Sequence, residues 1–438
     1  MFRHLVIGLG LVLIGLAGTV IRADEGMWPL NDIAGLGWGD MASRGLRLGP
    51  QDLYEPGRPD IGDAVINLGG GSASFVSPNG LIVTNHHVAF GALQRASKME
   101  HNYVRDGFFT KRYEDEIPAI GYNAYVSEDI VDVTDRVYAV IGGGLDELQR
   151  QEAVDSITKV LVKEAETAPW IVAEVVPMFG GAQYKLYTYT KLSDVRIVHA
   201  PPESIGDFGG EIDNWMWPRH VGDYSFLRAY VGPDGRPADY SEKNVPYHPK
   251  SFLTVSSKGV KEGDAAILMG YPGRTQRFAV SYEVDETFNF AYPRSVERMR
   301  ETLRILDEVG SEDPEMALRL SSTAKGISNY YKKTQGLIIG FHRDSVLDKR
   351  KAQEAEFLSY LAQDPKRQEM YGGILPAFDS LYRQRMLTRE KREVLGLMRY
   401  TDYLSLASTI FKWAKEREKA DLDRDMGYQD RDSLKVIR

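Results

Sequence analysis

The 438-residue sequence contains no cysteine, which excludes a disulfide framework, a thiolate metal centre, a cysteine nucleophile and a lipid-modified N-terminal cysteine. Histidine is scarce too. There are eight, none paired at the helical spacing that chelates zinc, so neither a metal site nor another cofactor is expected. Basic charge is not in excess: 54 Lys and Arg against 62 Asp and Glu leave a net charge of −8, which argues against nucleic acid or an anionic lipid surface as a partner. Past the N-terminus, no apolar run approaches the roughly 20 residues that a bilayer crossing needs. What is present, 43% hydrophobic and 26% charged residues, is the balance of a soluble globular chain, with length for roughly three units of about 150 residues each.

Residues 1–23 read as an export signal: Arg3 and His4 precede an apolar stretch over 5–18, and Ile21-Arg22-Ala23 offers a cleavage site before Asp24. The competing reading is an uncleaved anchor, which the glycines of the stretch and the small Ala23 disfavour. The expected location is therefore periplasmic or secreted, with no membrane contact after signal removal. At the other end, 412–438 is a dense charge run, read either as a solvated terminal helix or as a chain interrupted within a domain.

Between these ends the hydrophobic period changes once. From about residue 63 to 280, short apolar runs alternate with Gly, Pro and Asn/Asp turns. Strands are expected at 64–68, 74–76 and 81–84, the last two joined through Pro78-Asn79-Gly80, and again at 170–176, 184–189, 195–199, 224–231, 252–255 and 265–269, with one amphipathic helix over 146–164. Beyond 280 the spacing is helical. Val296, Met299, Leu303 and Leu306 recur on one face, Asp313-Pro314 supplies an N-cap and a first-turn proline for a helix over 315–341, and 344–362 and 387–419 continue in kind, the latter as one helix or two.

Three motifs carry chemistry. The first, LIVTNHHV at 81–88, reads as a buried strand that ends on a histidine, the way a trypsin-like peptidase holds its general base on a rigid element. Neighbouring strand residues face opposite ways, so His86 and His87 do not serve one site; His87 is the base candidate and His86 a backing residue. Ordinary hydrogen bonding at a strand edge is the plain alternative. The second is Asp223, opening the strand GDYSFLRAYV, from which a carboxylate can orient an imidazole and stabilise its protonated form; such an Asp is otherwise a turn residue. The third, DFGGEIDNWMWPRH at 207–220, places two of the six tryptophans among Asn, Asp, Arg and His. It is either an aromatic plug between the two units or a polar and aromatic clamp for a ligand's end-group.

Taken together, DEGMW at 24–28, GGGSASFVSPNGLIVTNHHV, DFGGEIDNWMWPRHVGDYSFLRAYV and MGYPGRTQRF at 269–278 resemble the bacterial dipeptidyl-peptidase 7 and 11 family of exported serine exopeptidases. The resemblance implies a mainly β, trypsin-like double β-barrel with an inserted all-α domain, both incomplete here. The barrel region would span 24–280 and the helical domain 281–438. It further implies that His87 and Asp223 are the catalytic base and its carboxylate, that Asn214 and Trp215 hold the free α-amino group of a peptide substrate, and that the protein forms a homodimer. Gly270-Tyr271-Pro272-Gly273-Arg274-Thr275 is read first as a loop supporting the barrel.

Two departures from the resembled pattern stand out. Gly71 and Val88 occupy positions where the family usually has cysteines, so the segment bearing His87 must be held by packing. Nor is there a Gly-Asn/Asp-Ser-Gly turn to carry a nucleophile and its oxyanion hole. Ser72, Ser74, Ser225 and Ser345 are poor substitutes, and in the resembled family the serine follows the helical domain. The expectation is a dipeptidyl-peptidase sequence lacking the part with its nucleophile, inactive as this chain. The alternatives are an HtrA-like endopeptidase and a non-catalytic peptide-binding protein.

Overall fold

Turn residues divide the first half of the chain into short strands, and in the computed structural model these assemble into one antiparallel sheet. The structure describes residues 28–35, 38–43, 45–273, 279–398 and 401–432; the expected export signal and residues 274–278 of the MGYPGRTQRF motif lie outside them. The strands are β1 (Val65–Asn67), β2 (Ser72–Phe75), β3 (Leu81–Thr84), β4 (Phe108–Phe109), β5 (Ile117–Pro118), β6 (Ala124–Asp132), β7 (Ile171–Met178), β8 (Gln183–Leu192), β9 (Asp194–Ala200), β10 (Ser225–Val231) and β11 (Val245–Pro246). They run in the order β4-β9-β10-β3-β2-β1-β6-β8-β7, with β5 on β9 and β11 on β10. In β2 and β3 burial alternates residue by residue, as a half-buried strand requires. β10, covered along nearly its whole length, lies between β9 and β3. Ile66, Phe75, Ile82, Leu192, Ile197 and Leu227 make the core with Phe90 and Leu93.

The longer helices are α1 (His86–Ala96), α2 (Glu147–Ala165), α3 (Tyr292–Glu312), α4 (Pro314–Arg343), α5 (Val346–Ala362), α6 (Ile374–Met398) and α7 (Asp402–Glu416). α4 begins where Asp313 and Pro314 direct: the Asp313 carboxylate accepts from the N–H groups of Glu315 and Met316 at 2.9 and 3.0 Å. The 387–419 segment resolves into two helices, the first starting at Ile374, ahead of the expected position. Over its described residues, 412–432, the terminal charge run is not one long solvated helix. Its ions fold back on α2, where Lys159 Nζ donates to the Arg424 carbonyl at 2.9 Å and Arg431 meets Glu166 at 2.6 Å.

Two expectations change. The histidines do not end a strand: β3 stops at Thr84, and His86 and His87 open α1. Residues 252–255 and 265–269 are not strands. A strand persists only where neighbours complete its ladder, and the first of these makes a single backbone bond, Leu253 N–H to Phe75 O at 2.8 Å, while Leu268 stands fully in solvent. The described strands are joined in one antiparallel sheet with helices beside it. No described helix is long and apolar enough to cross a membrane.

Candidate functional site

The pairing of β10 with β3 assembles the first part of the site. Ser225 lies opposite Thr84, so the residue two before β10 meets the first turn of α1 three residues past the end of β3. Asp223 is that residue. Its Oδ1 accepts the backbone N–H of His87 at 3.0 Å and its Oδ2 lies 2.8 Å from His87 Nδ1, while Asn85 Nδ2 donates to Oδ2 at 3.2 Å. One carboxylate thus caps the helix end, where free N–H groups and the dipole favour an anion, and orients the imidazole. Burial alone would raise the Asp223 carboxyl; the hydrogen bonds from the ring and backbone of His87 outweigh it and hold it at about 2. The remaining nitrogen of His87, Nε2, makes no hydrogen bond to the described residues, and the side chain is 51% exposed.

His86 and His87 do part company, for a reason other than strand alternation. Consecutive helical residues point about 100° apart, so His87 turns to Asp223 and the surface while His86 goes inward, 0% exposed, with neither ring nitrogen hydrogen-bonded. Burial, and Lys325 beyond it, push the His86 pKa down and keep the ring neutral. It packs edge-on to Phe90 and against Gly206, where an added Cβ would stand 2.6 Å from the ring. The two positions expected to replace cysteines are neighbours: a Cβ on Gly71 would lie 2.6 Å from Val88 Cγ2, so the valine fills the space that glycine leaves. Tyr122 OH adds a bond of 2.6 Å to the Val88 carbonyl.

The 207–220 segment forms the second part. Gly209 and Gly210, at φ 72° and 57°, turn the chain after the short helical turn Glu203–Gly206. Trp215 is itself in the left-handed region, φ 60°, which a bulky residue adopts only when its surroundings hold it there. The restraint comes from α4. Asn329 Oδ1 accepts from both Asn214 Nδ2 and Trp215 Nε1, each at 2.9 Å, and Lys332 Nζ donates to the Ile212 carbonyl at 3.1 Å. Asn214 Nδ2 also bonds Glu211 Oε2, and the Asn214 amide oxygen has no donor among the described residues. Trp217 is 95% exposed and Trp215 and Met216 are largely so, while the Trp215 indole joins the segment to α4 through Asn329.

Asn329, Glu211 and Lys325 were not singled out by sequence. The available signal for Asn329 was a poor helix former in the middle of a 30-residue helix, facing the same way as Lys325 four residues earlier. Among the described residues no serine hydroxyl is hydrogen-bonded to His87: Ser72 Oγ accepts from Tyr271 N at 2.7 Å, Ser225 Oγ is buried with no partner among them, and Ser345 precedes α5 at φ 48°. Gly270 and Tyr271 brace β2 through that contact with Ser72. Among the described residues no cluster of three or more His, Asp or Glu is disposed to hold a metal.

With this geometry in place, comparison with known proteins is specific. A model of the family described as Peptidase S46 matches residues 23–437. The Asp/Glu-specific dipeptidyl-peptidase of Shewanella putrefaciens is 35% identical over 419 residues, covering 95% of this chain and 56% of that protein. Dipeptidyl-peptidase 7 of Capnocytophaga gingivalis is 37% identical over 374 residues, covering 85% and 52%. Among solved structures, Porphyromonas endodontalis DPP11 in complex with the dipeptide Arg-Asp superposes with a TM-score of 0.77 at 33% identity, over 84% of this chain and 54% of that one. The chain spans about half the length of the relatives it matches.

Proposed function

Because the chain belongs to the peptidase S46 family, we propose that its site comprises the general base and the amine clamp of an exported serine dipeptidyl-peptidase with trypsin-like chemistry, acting on peptides with a free N-terminus. His87 takes the proton of a nucleophile on Nε2 and returns it to the leaving amine, while Asp223, ionised down to about pH 2, holds the ring with its proton on Nδ1 and stabilises the imidazolium. The observation that carries this reading is the two-point grip of Asp223 on His87, at 3.0 and 2.8 Å, which leaves Nε2 open.

The clamp supplies the exopeptidase character. Release of dipeptides requires the N-terminus to be fixed two residues from the scissile carbonyl, about 7 Å of extended chain. The Asn214 amide oxygen and the Glu211 carboxylate are acceptors for an ammonium group, and Asn329 and Glu211 orient Asn214 by each accepting from its amide NH2. Trp215 walls the loop beside them. The cycle also needs a nucleophile, and no described serine is hydrogen-bonded to His87, so the described residues are read as binding peptide N-termini without hydrolysing the bond.

Calorimetric titration of the 438-residue chain with Arg-Asp and Arg-Phe, each free and N-acetylated, tests this. The free dipeptides should bind at least about tenfold tighter, and the difference should shrink as pH rises through the α-amino pKa of about 8. Equal affinity for free and acetylated ligands would remove the clamp and favour an endopeptidase-like groove. Dipeptide release by the purified chain would disprove the assignment of the serine.

A further inference from the structure

Helix α4 touches the sheet unit along one stripe. Leu318 and Arg319 present carbonyls to Gln94 Nε2 at 3.2 and 3.3 Å, Lys325 pairs with Asp207, Asn329 meets Asn214 and Trp215, and Lys332 reaches the Ile212 carbonyl. At 100° per residue, positions 318, 325, 329 and 332 fall within about 60° of one another. Three of these contacts land on the segment that carries the clamp.

The Lys325 contact differs in kind. Its Nζ lies 2.6 Å from Asp207 Oδ2, the two side chains being only 15% and 14% exposed, and 5.1 Å above the ring of Phe90. Asp207 follows Gly206, which packs on the buried ring of His86, the neighbour of His87. Three elements therefore meet at this ion pair: the first turns of α1, which bear the base; the start of the clamp segment; and α4, which bears Asn329 one turn beyond Lys325.

We propose that Lys325, through Asp207, is a positioning residue that sets the amine clamp at its distance from His87. The proposal rests on the reading of Asn214 and its partners as an ammonium site and deepens it. Without the lysine ammonium, Asp207 leaves an uncompensated carboxylate beside Phe90 and His86. Rehydration draws that carboxylate outward, and the chain leading to Asn214, seven residues on, moves with it. The hydrogen bonds to Asn329 then no longer hold Asn214 and Trp215 in one place, and the left-handed conformation of Trp215 loses its restraint.

The test compares Lys325→Met, Asp207→Asn and Lys325→Arg in the 438-residue chain, using calorimetry with free and N-acetylated Arg-Asp. The quantity read is the ratio of the two affinities, which a general loss of stability would not alter because both ligands would weaken together. In Lys325→Met and Asp207→Asn the preference for the free amine should fall about tenfold, and in Lys325→Arg it should stay within about threefold of wild type. A ratio within twofold of wild type in the first two variants overturns the proposal. If Lys325→Met does not fold, Asp207→Asn decides alone; if neither folds, the pair is a folding contact and the positioning role is wrong. Absence of any free-amine preference in the wild-type chain would instead sink the clamp reading, a separate outcome.

Discussion

Asparagine at position 223 would preserve the shape of the site and invert its proton. In the native arrangement, Oδ1 accepts the His87 backbone N–H at 3.0 Å, while Oδ2 accepts from His87 Nδ1 at 2.8 Å and Asn85 Nδ2 at 3.2 Å. Asparagine offers one acceptor oxygen and one NH2 group. A backbone N–H is an obligatory donor, so the amide oxygen must stay with it and the NH2 must face Nδ1. The ring can accept that bond only by carrying its proton on Nε2, which abolishes the lone pair a base requires. Long-range proton–nitrogen correlation spectra of the histidine-labelled chain at alkaline pH, with His87 assigned through His87→Gln, should show Nδ1–H in wild type and Nε2–H in Asp223→Asn. Holding the carboxyl at about 2, against an ordinary value near 4, contributes roughly 1–2 kcal/mol once solvent screening of this half-buried group is allowed for. A lowered carboxyl pKa stabilises the fold above the unfolded-state value, and the contribution disappears as pH falls through the folded one. The urea-unfolding gap between wild type and Asp223→Asn should thus be present at neutral pH, begin to shrink as pH falls below about 4 and vanish near about 2. An unchanged tautomer, or no gap at neutral pH, would refute the reasoning.

Two further substitutions probe what holds the site in place. Glu116 is buried and accepts from Arg228 Nε at 2.9 Å and Tyr230 OH at 2.7 Å, so Glu116→Leu strands a buried guanidinium in mid-sheet and should cost about 3–5 kcal/mol in urea unfolding; a loss under about 1 kcal/mol would show the ion pair to be dispensable. Gly206→Ala drives a methyl to 2.6 Å from the His86 ring and should cost about 1–3 kcal/mol, with displaced His86 ring resonances as its signature. Unchanged stability and resonances would mean that the segment shifts freely away from α1.

Local chemistry made much of this chain readable in advance. Asp313-Pro314 marks the start of α4 because a carboxylate cap and a proline in the first turn act on adjacent backbone groups. Pro78-Asn79-Gly80 makes the turn before β3, with Gly80 at φ 67°. The site candidates His87, Asp223, Asn214 and Trp215 were legible as residue types within motifs, and the structure brings the first two into contact and the last two onto a shared partner. Other features had no local signature. Residues 252–255 have the composition of a strand and lack the neighbours, so propensity misleads there. LIVTNHHV reads as one continuous strand until the His87 N–H finds Asp223, 136 residues away, at the start of a helix.

The sequence by itself determined which groups are available: an imidazole, a carboxylate, an amide and indole pair, no thiol, and helices whose caps and apolar spacing are local. Tertiary structure decided their use. Asn329 becomes a partner of Asn214 and Trp215 only because α4 docks with that face toward residues 115 positions earlier. Lys325 meets Asp207, and Val88 fills the gap beside Gly71, for the same reason. Hydrogen bonds and ion pairs between distant segments depend on how helices and sheet settle against each other, a balance of buried area and paired charge over the whole fold that no short stretch of residues encodes.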